Sequence, residues 1–146
     1  MSCLYSMFYV TKKGDINSFD IKTFPIDEEV RAMRPHLYKA DIHITYEVGR
    51  FINFRQLHAY ISECEISYLN CEKFLDRDKC EEILSLLKKI NKDNAMEILP
   101  PSDQDTKEDY NKQFFNNVDK AIKMFENLLI VLNANKNWYV LYDGIN

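Results

Sequence analysis

Glycine is scarce in this chain, with three in 146 residues. That leaves little material for loops that wrap a phosphate in backbone N–H groups. Neither G-x-G-x-x-G nor G-x-x-x-x-G-K-[ST] occurs, which argues against a dinucleotide fold and a P-loop nucleotide hydrolase. No apolar run approaches the about eighteen residues that a membrane-spanning helix requires. The opening Met1-Ser-Cys-Leu-Tyr5 has no basic stretch followed by an apolar one, so no secretory leader is expected. Of the four cysteines, Cys3, Cys64, Cys71 and Cys80, no two form C-x-x-C, and no histidine follows at finger-like spacing. No metal site is therefore expected, and the cysteines are expected to be reduced thiols in a cytoplasm. An excess of positive charge is also missing: 19 Lys and Arg stand against 23 Asp and Glu, a formal −4. A protein that coats nucleic acid needs a basic face, so direct nucleic-acid binding is not expected. No pattern implies a cofactor.

Aromatic residues are plentiful, with nine Tyr and nine Phe, and the length suits one domain with a real core. Charge is uneven. Residues 1–50 carry seven basic and seven acidic side chains, so the whole −4 lies in residues 51–146. There Asp103, Asp105, Glu108 and Asp109 against Lys107 make a local −3. This cluster is either a solvated loop or an acidic patch facing a basic protein surface. It is too weakly charged to imitate nucleic acid.

The pattern along the chain predicts strands, then helices, then a strand. Leu4–Val10 and Ser18–Phe24 read as strands, with a turn at Lys12–Asp15 and Pro25 ending the second. Asp27–Met33 suits one or two helical turns. Asp41–Val48 alternates strictly, with Ile42, Ile44, Tyr46 and Val48 on one face. Gly49 is then expected to turn the chain into a helix over about 50–63, its apolar face formed by Phe51, Phe54, Leu57, His58 and Ile61. Residues 65–74 allow a short strand or an irregular link. Asp76 is a credible N-cap for a helix over about 77–91, and a short helical piece follows before Pro100-Pro101. The longest helix is expected over about 108–133, and Trp138–Tyr142 closes the chain as a strand. The predicted fold is α+β: a small, mainly antiparallel sheet on about three helices, the last strand pairing with one from the first fifty residues.

His58 is the residue with most chemical potential. On the apolar face it is a core imidazole with both nitrogens hydrogen-bonded, or a pocket residue beside Arg55 and Tyr60. No second His, Cys or carboxylate stands at ligand spacing. No nucleophile is singled out beside His36, His43 or His58. Tyr110 and Trp138 could line a pocket or fill the core. Glu97 is a polar candidate that reads first as an ordinary exposed helix residue. No enzyme activity is expected.

Several segments resemble, in order, a family of small tailed-phage and prophage proteins. They are the Met- and Tyr-rich Leu4–Val10, the aromatic and Arg-rich helix with Phe51, Arg55, His58 and Tyr60, the A-x-E-x-L-P element Ala95-Met-Glu-Ile-Leu-Pro100, the long helix, and the Trp138–Tyr142 strand. The family's Trp in the first helix is Phe51 here, and its Gly- and Phe-rich loop is replaced by the acidic Asp103–Asp109. The resemblance implies an accessory protein in the cytoplasm of an infected bacterium. Its expected role is non-enzymatic inhibition of a host defence system, in the anti-CRISPR manner, by binding a host defence or regulatory protein through Asp103, Asp105, Glu108 and Asp109. The alternative is a small-ligand binder that sequesters a nucleotide immune signal. Its pocket would combine Arg55, His58, Tyr60, Tyr110 and Trp138, at a subunit boundary if the protein is a homo-oligomer.

Overall fold

The chain folds around a four-stranded sheet, seen in a computed structural model that describes residues 3–13, 43–136 and 138–146. Its elements are β1 (Tyr5–Lys13), β2 (His43–Ile52), α1 (Arg55–Ser62), β3 (Cys71–Leu75), α2 (Arg77–Lys88), α3 (Ala95–Ile98), α4 (Lys112–Ala134) and β4 (Trp138–Ile145). A single 3₁₀ turn, Lys107–Asp109, precedes α4. The strand order is β2-β1-β4-β3, and the pairs β1–β2, β1–β4 and β3–β4 are all antiparallel. This is the predicted α+β class, and the closing strand does pair with the first. The predicted strand over 18–24, the turns over 27–33 and the first residues of the 41–48 strand lie outside the described residues.

One face of the sheet carries the main core. Phe8 and Val10 of β1, Phe51 of β2, Leu75 of β3, and Val140 and Tyr142 of β4 pack with Leu57 and Ile61 of α1, Cys80, Ile83 and Leu87 of α2, and Val118, Ala121, Phe125 and Leu128 of α4. Aromatic rings form its centre: Phe8 meets Phe51, Phe125 and Tyr142 at centroid distances of 5.8, 5.4 and 4.9 Å. These are the separations at which tilted and edge-to-face rings attract. Met7, Tyr9 and Leu141, which alternate with the core residues, form a smaller buried cluster on the opposite face.

Two expectations about residues 48–54 are corrected. Gly49 does not start a helix; β2 runs on to Ile52. The pairing register slips between Phe8 and Tyr9, which lie opposite Gly49 and Glu47, so Val48 is an extra residue in the ladder. Such a bulge reverses the alternation beyond it. Val48 is left 39% exposed and Phe51 is brought onto the core face. Strict alternation up to Val48 therefore misassigned the face of Val48 itself. Gly49 serves packing: a Cβ there would overlap the Met124 side chain of α4.

The helix begins only at Arg55. Asn53 takes φ 56°, a left-handed conformation that Asn tolerates better than most side chains. It is fixed there by two bonds to one residue: Asn53 N–H donates to the Leu4 carbonyl (2.7 Å), and Leu4 N–H donates to Asn53 Oδ1 (2.9 Å). Phe51 and Phe54 are buried, as expected, but from a strand and a turn.

Helix starts elsewhere follow their caps. Asp76 Oδ1 accepts the Lys79 N–H at 2.7 Å and begins α2. The last helix starts later than expected because two caps occur in succession. Thr106 and Asp109 form a reciprocal capping box on the 3₁₀ turn, and Asn111 Oδ1 then accepts from Gln113 and Phe114 to begin α4.

Candidate functional site

His58 is fully buried on α1. Its Nε2 lies 2.9 Å from the Leu69 carbonyl and its Nδ1 lies 2.5 Å from the Tyr142 hydroxyl. A carbonyl only accepts, so Nε2 carries the proton and Nδ1 accepts from Tyr142. The Tyr142 oxygen is in turn 2.9 Å from Ser6 Oγ. With its own proton committed to His58, Tyr142 must accept from Ser6. Proton order is thus set along the chain Ser6→Tyr142→His58→Leu69, which joins β1, β4, α1 and the loop before β3.

Burial sets the titration of both central groups. Loss of hydration lowers the His58 pKa below its ordinary 6.5, and the bond to the Leu69 carbonyl offsets this only in part. Burial likewise holds the Tyr142 phenol far above its usual range. A neutral imidazole and a neutral phenol suit this dry, fully bonded setting. Gly144 makes room for them, since a Cβ at that position would overlap the His58 ring and the Tyr142 hydroxyl. His58 is a structural core residue here, with neither nitrogen left for a ligand.

The other four pocket candidates are not gathered around it. Tyr60 points to α2, where its hydroxyl donates to Glu82; Lys79 binds the same carboxylate at 2.7 Å and sits 4.9 Å from the Tyr60 ring centre. Burial first, and then Glu82, push the Tyr60 phenol up to about 12. Tyr110 donates to the Leu99 carbonyl at 2.5 Å and packs its ring on Phe114. Trp138 stacks on Tyr46 at 5.9 Å and lines a cleft of about 560 Å³ with Asp76, Arg77, Asp78, Leu132, Lys136 and Tyr139. Arg55 lines a separate cleft of about 140 Å³ with Asn53, Gln56, Asp105, Asp109, Asn111, Gln113, Phe114 and Asn117. The expected common pocket is therefore replaced by two clefts. Tyr60, Tyr110 and His58 line neither.

The acidic segment is an ordered structure. Asp103 Oδ1 accepts the Ser67 N–H at 2.9 Å, and Asp103 N–H donates to the Glu65 carbonyl at 2.8 Å. Asp105 Oδ2 accepts from both the N–H and the hydroxyl of Ser102, at 2.9 and 2.7 Å. Asp109 Oδ2 accepts the Thr106 N–H at 2.7 Å. Glu108 is exposed, and a hydrogen bond from the Thr106 hydroxyl is the main cause lowering its pKa. Asp103 and Glu108 face solvent, whereas Asp105 and Asp109 turn partly inward to the Arg55 cleft. Glu97 is exposed on α3. Among the described residues, no cluster of three or more His, Cys, Asp or Glu side chains could hold a metal ion, and no helix is long and apolar enough to cross a membrane.

Sequence reasoning missed Tyr142, Gly144, Gln56 and Asn117. Tyr142 lies 84 residues from His58, beyond any local pattern. Gln56 sits next to Arg55, where the helical period alone assigned it to a polar side. Comparison with protein-family models, with curated proteins and with solved structures finds no match for this chain.

Proposed function

We propose that this chain is a non-enzymatic binding protein whose acidic segment, residues 103–109, docks on a basic surface of a partner protein. The observation that carries this reading is the way the carboxylates order their own loop. Asp103, Asp105 and Asp109 each fix backbone N–H groups, so the segment keeps one shape before any partner arrives. A preordered loop loses less conformational entropy on binding than a flexible one, and like charges held together steer a basic partner. The resemblance to small tailed-phage proteins supports a bacterial defence effector as that partner, with inhibition by occupation of its surface.

The test uses the two carboxylates that face solvent. Asp103→Asn and Glu108→Gln keep hydrogen-bonding capacity and remove charge. A host protein retained by the wild-type chain should bind the double variant at least about tenfold more weakly, and binding should fall as salt is raised. Equal retention by both, with no salt dependence, would sink the reading.

A nucleotide-binding reading keeps one observation in its favour: Trp138, Arg77 and Lys136 line the same 560 Å³ cleft. Trp138 offers an aromatic face for a base, and Arg77 and Lys136 offer cations for its phosphates, although Asp76 and Asp78 line the same cleft and offset that charge. A thermal shift with one nucleotide, lost in Arg77→Ala and Lys136→Ala, would establish it. His58 has no part in that site.

A further inference from the structure

The smaller cleft holds charges of both signs that do not meet. Arg55 makes a single hydrogen bond, to Asn53 Oδ1 at 3.3 Å. It forms no ion pair within the described residues, although Asp105 and Asp109 line the same cleft. Asp109 uses Oδ2 for Thr106 and leaves Oδ1 open. Asp105 Oδ1 is sealed and has no hydrogen-bond partner.

Gln56 gives a second, independent sign of a ligand. It is 3% exposed, and no hydrogen bond satisfies its amide. That amide is not sealed either, so the little surface Gln56 retains opens into the cleft it lines. Buried amides are almost always hydrogen-bonded, so the Gln56 amide must take its partner, water or ligand, from the cleft. The Asn117 amide, half-buried one wall away, is also without a protein partner.

The lining selects its ligand by exclusion. Polar groups dominate it, and its one aromatic ring, Phe114, is buried, so neither an apolar molecule nor a stacked base fits. Two carboxylates outweigh one guanidinium, which disfavours phosphate. The volume of about 140 Å³ matches about five waters at ~30 Å³ each, the size of a small organic molecule. We propose that this cleft is a binding site for a free α-amino acid in its zwitterionic form. Arg55 takes the carboxylate, Asp109 Oδ1 takes the ammonium, and the amides of Gln56 and Asn117 take the polar groups that remain. The site shares Asp105 and Asp109 with the docking segment, but Asp103 and Glu108, whose substitution tests docking, lie outside it, so the two readings can fail separately.

The test is titration of the ¹⁵N-labelled chain with each proteinogenic L-amino acid, following the side-chain amide signals of Gln56 and Asn117. At least one amino acid should shift both signals saturably in the millimolar range or below. Its N-acetyl derivative, which lacks the ammonium, and its amide, which lacks the carboxylate, should each bind about tenfold more weakly or worse, the loss of one charged hydrogen bond. Arg55→Ala should abolish the shift while leaving the rest of the spectrum folded. Absence of a saturable shift with every amino acid overturns the proposal, as does undiminished binding of either derivative or undiminished binding by Arg55→Ala.

Discussion

Tyr142→Phe is the sharpest probe of the buried chain of hydrogen bonds. The substitution keeps the ring that packs on Phe8 at 4.9 Å and removes only the hydroxyl, so it opens almost no cavity. What it removes is the junction between Ser6 Oγ and His58 Nδ1. Both residues are buried to within about a hundredth of their surface, so neither orphaned group reaches water. Each unsatisfied group costs about 1–3 kcal/mol, so the two together cost about 2–6 kcal/mol, and about 3 kcal/mol is expected, toward the lower end of that sum. For a chain of this length that corresponds to a fall in Tm of ~6–12 °C. Urea denaturation followed by far-UV circular dichroism measures the free energy directly, provided the slope with denaturant stays constant.

Ser6→Ala completes the cycle. Alone it removes the donor to Tyr142, whose own O–H still reaches His58, and should cost about 1 kcal/mol. In the Tyr142→Phe background it deletes a hydroxyl that has already lost its partner, so it should cost nothing or restore stability. The double variant should therefore be at least about 1 kcal/mol more stable than the sum of the single effects, the mark of groups in one network. A Tyr142→Phe protein within about 0.5 kcal/mol of wild type, with additive behaviour, would refute the assignment of proton order and of His58 to the core.

Three further perturbations test neighbouring parts of the argument. Because burial lowers the folded pKa of His58 below 6.5, the unfolded chain binds a proton first as pH falls; the His58 contribution is thus complete above about pH 6.5 and declines below it. Urea midpoints measured from pH 7.5 to 5.5 should fall less in His58→Gln than in wild type, and equal slopes would contradict the shift. Gly144→Ala drives a methyl into the His58 ring and the Tyr142 hydroxyl, and should destabilise by about 1–3 kcal/mol or more as an overpacked core does; calorimetry showing an unchanged Tm would mean that the ring can move aside. Asp76→Ala removes the cap on Lys79 and should cost about 1 kcal/mol, read in the same denaturation assay, whereas Asp76→Asn should recover most of it.

The parts of this fold that were legible in the sequence are those whose cause is local. Asp76 announces α2 because a carboxylate before an apolar stripe can take up a free helical N–H. The three- and four-residue spacing of Phe114, Val118, Ala121, Ile122, Phe125, Leu129 and Leu132 announces α4 because one face must be buried, although Leu128 and not Leu129 is the fully buried leucine of that turn. The strand–helix boundary near Gly49 failed because its cause is distant. The bulge at Val48 depends on pairing with β1, the glycine depends on Met124 of α4, and the true turn depends on Asn53 closing on Leu4. The same division explains the site. Burial of His58 followed from periodicity, and so did the need to satisfy both nitrogens. The partners that decide its role, Tyr142 and the Leu69 carbonyl, come from a strand and a loop with no spacing relation to it. Arg55 is the converse case. Its neighbours in sequence pointed to His58 and Tyr60, three and five residues on, but α1 sends those side chains to the core and to α2. Arg55 instead lines a cleft with carboxylates of a segment fifty residues later, which the sequence marked only as charge. A histidine expected to line a pocket thus proves to be a core residue, and the open polar groups lie on the first two residues of α1, Arg55 and Gln56.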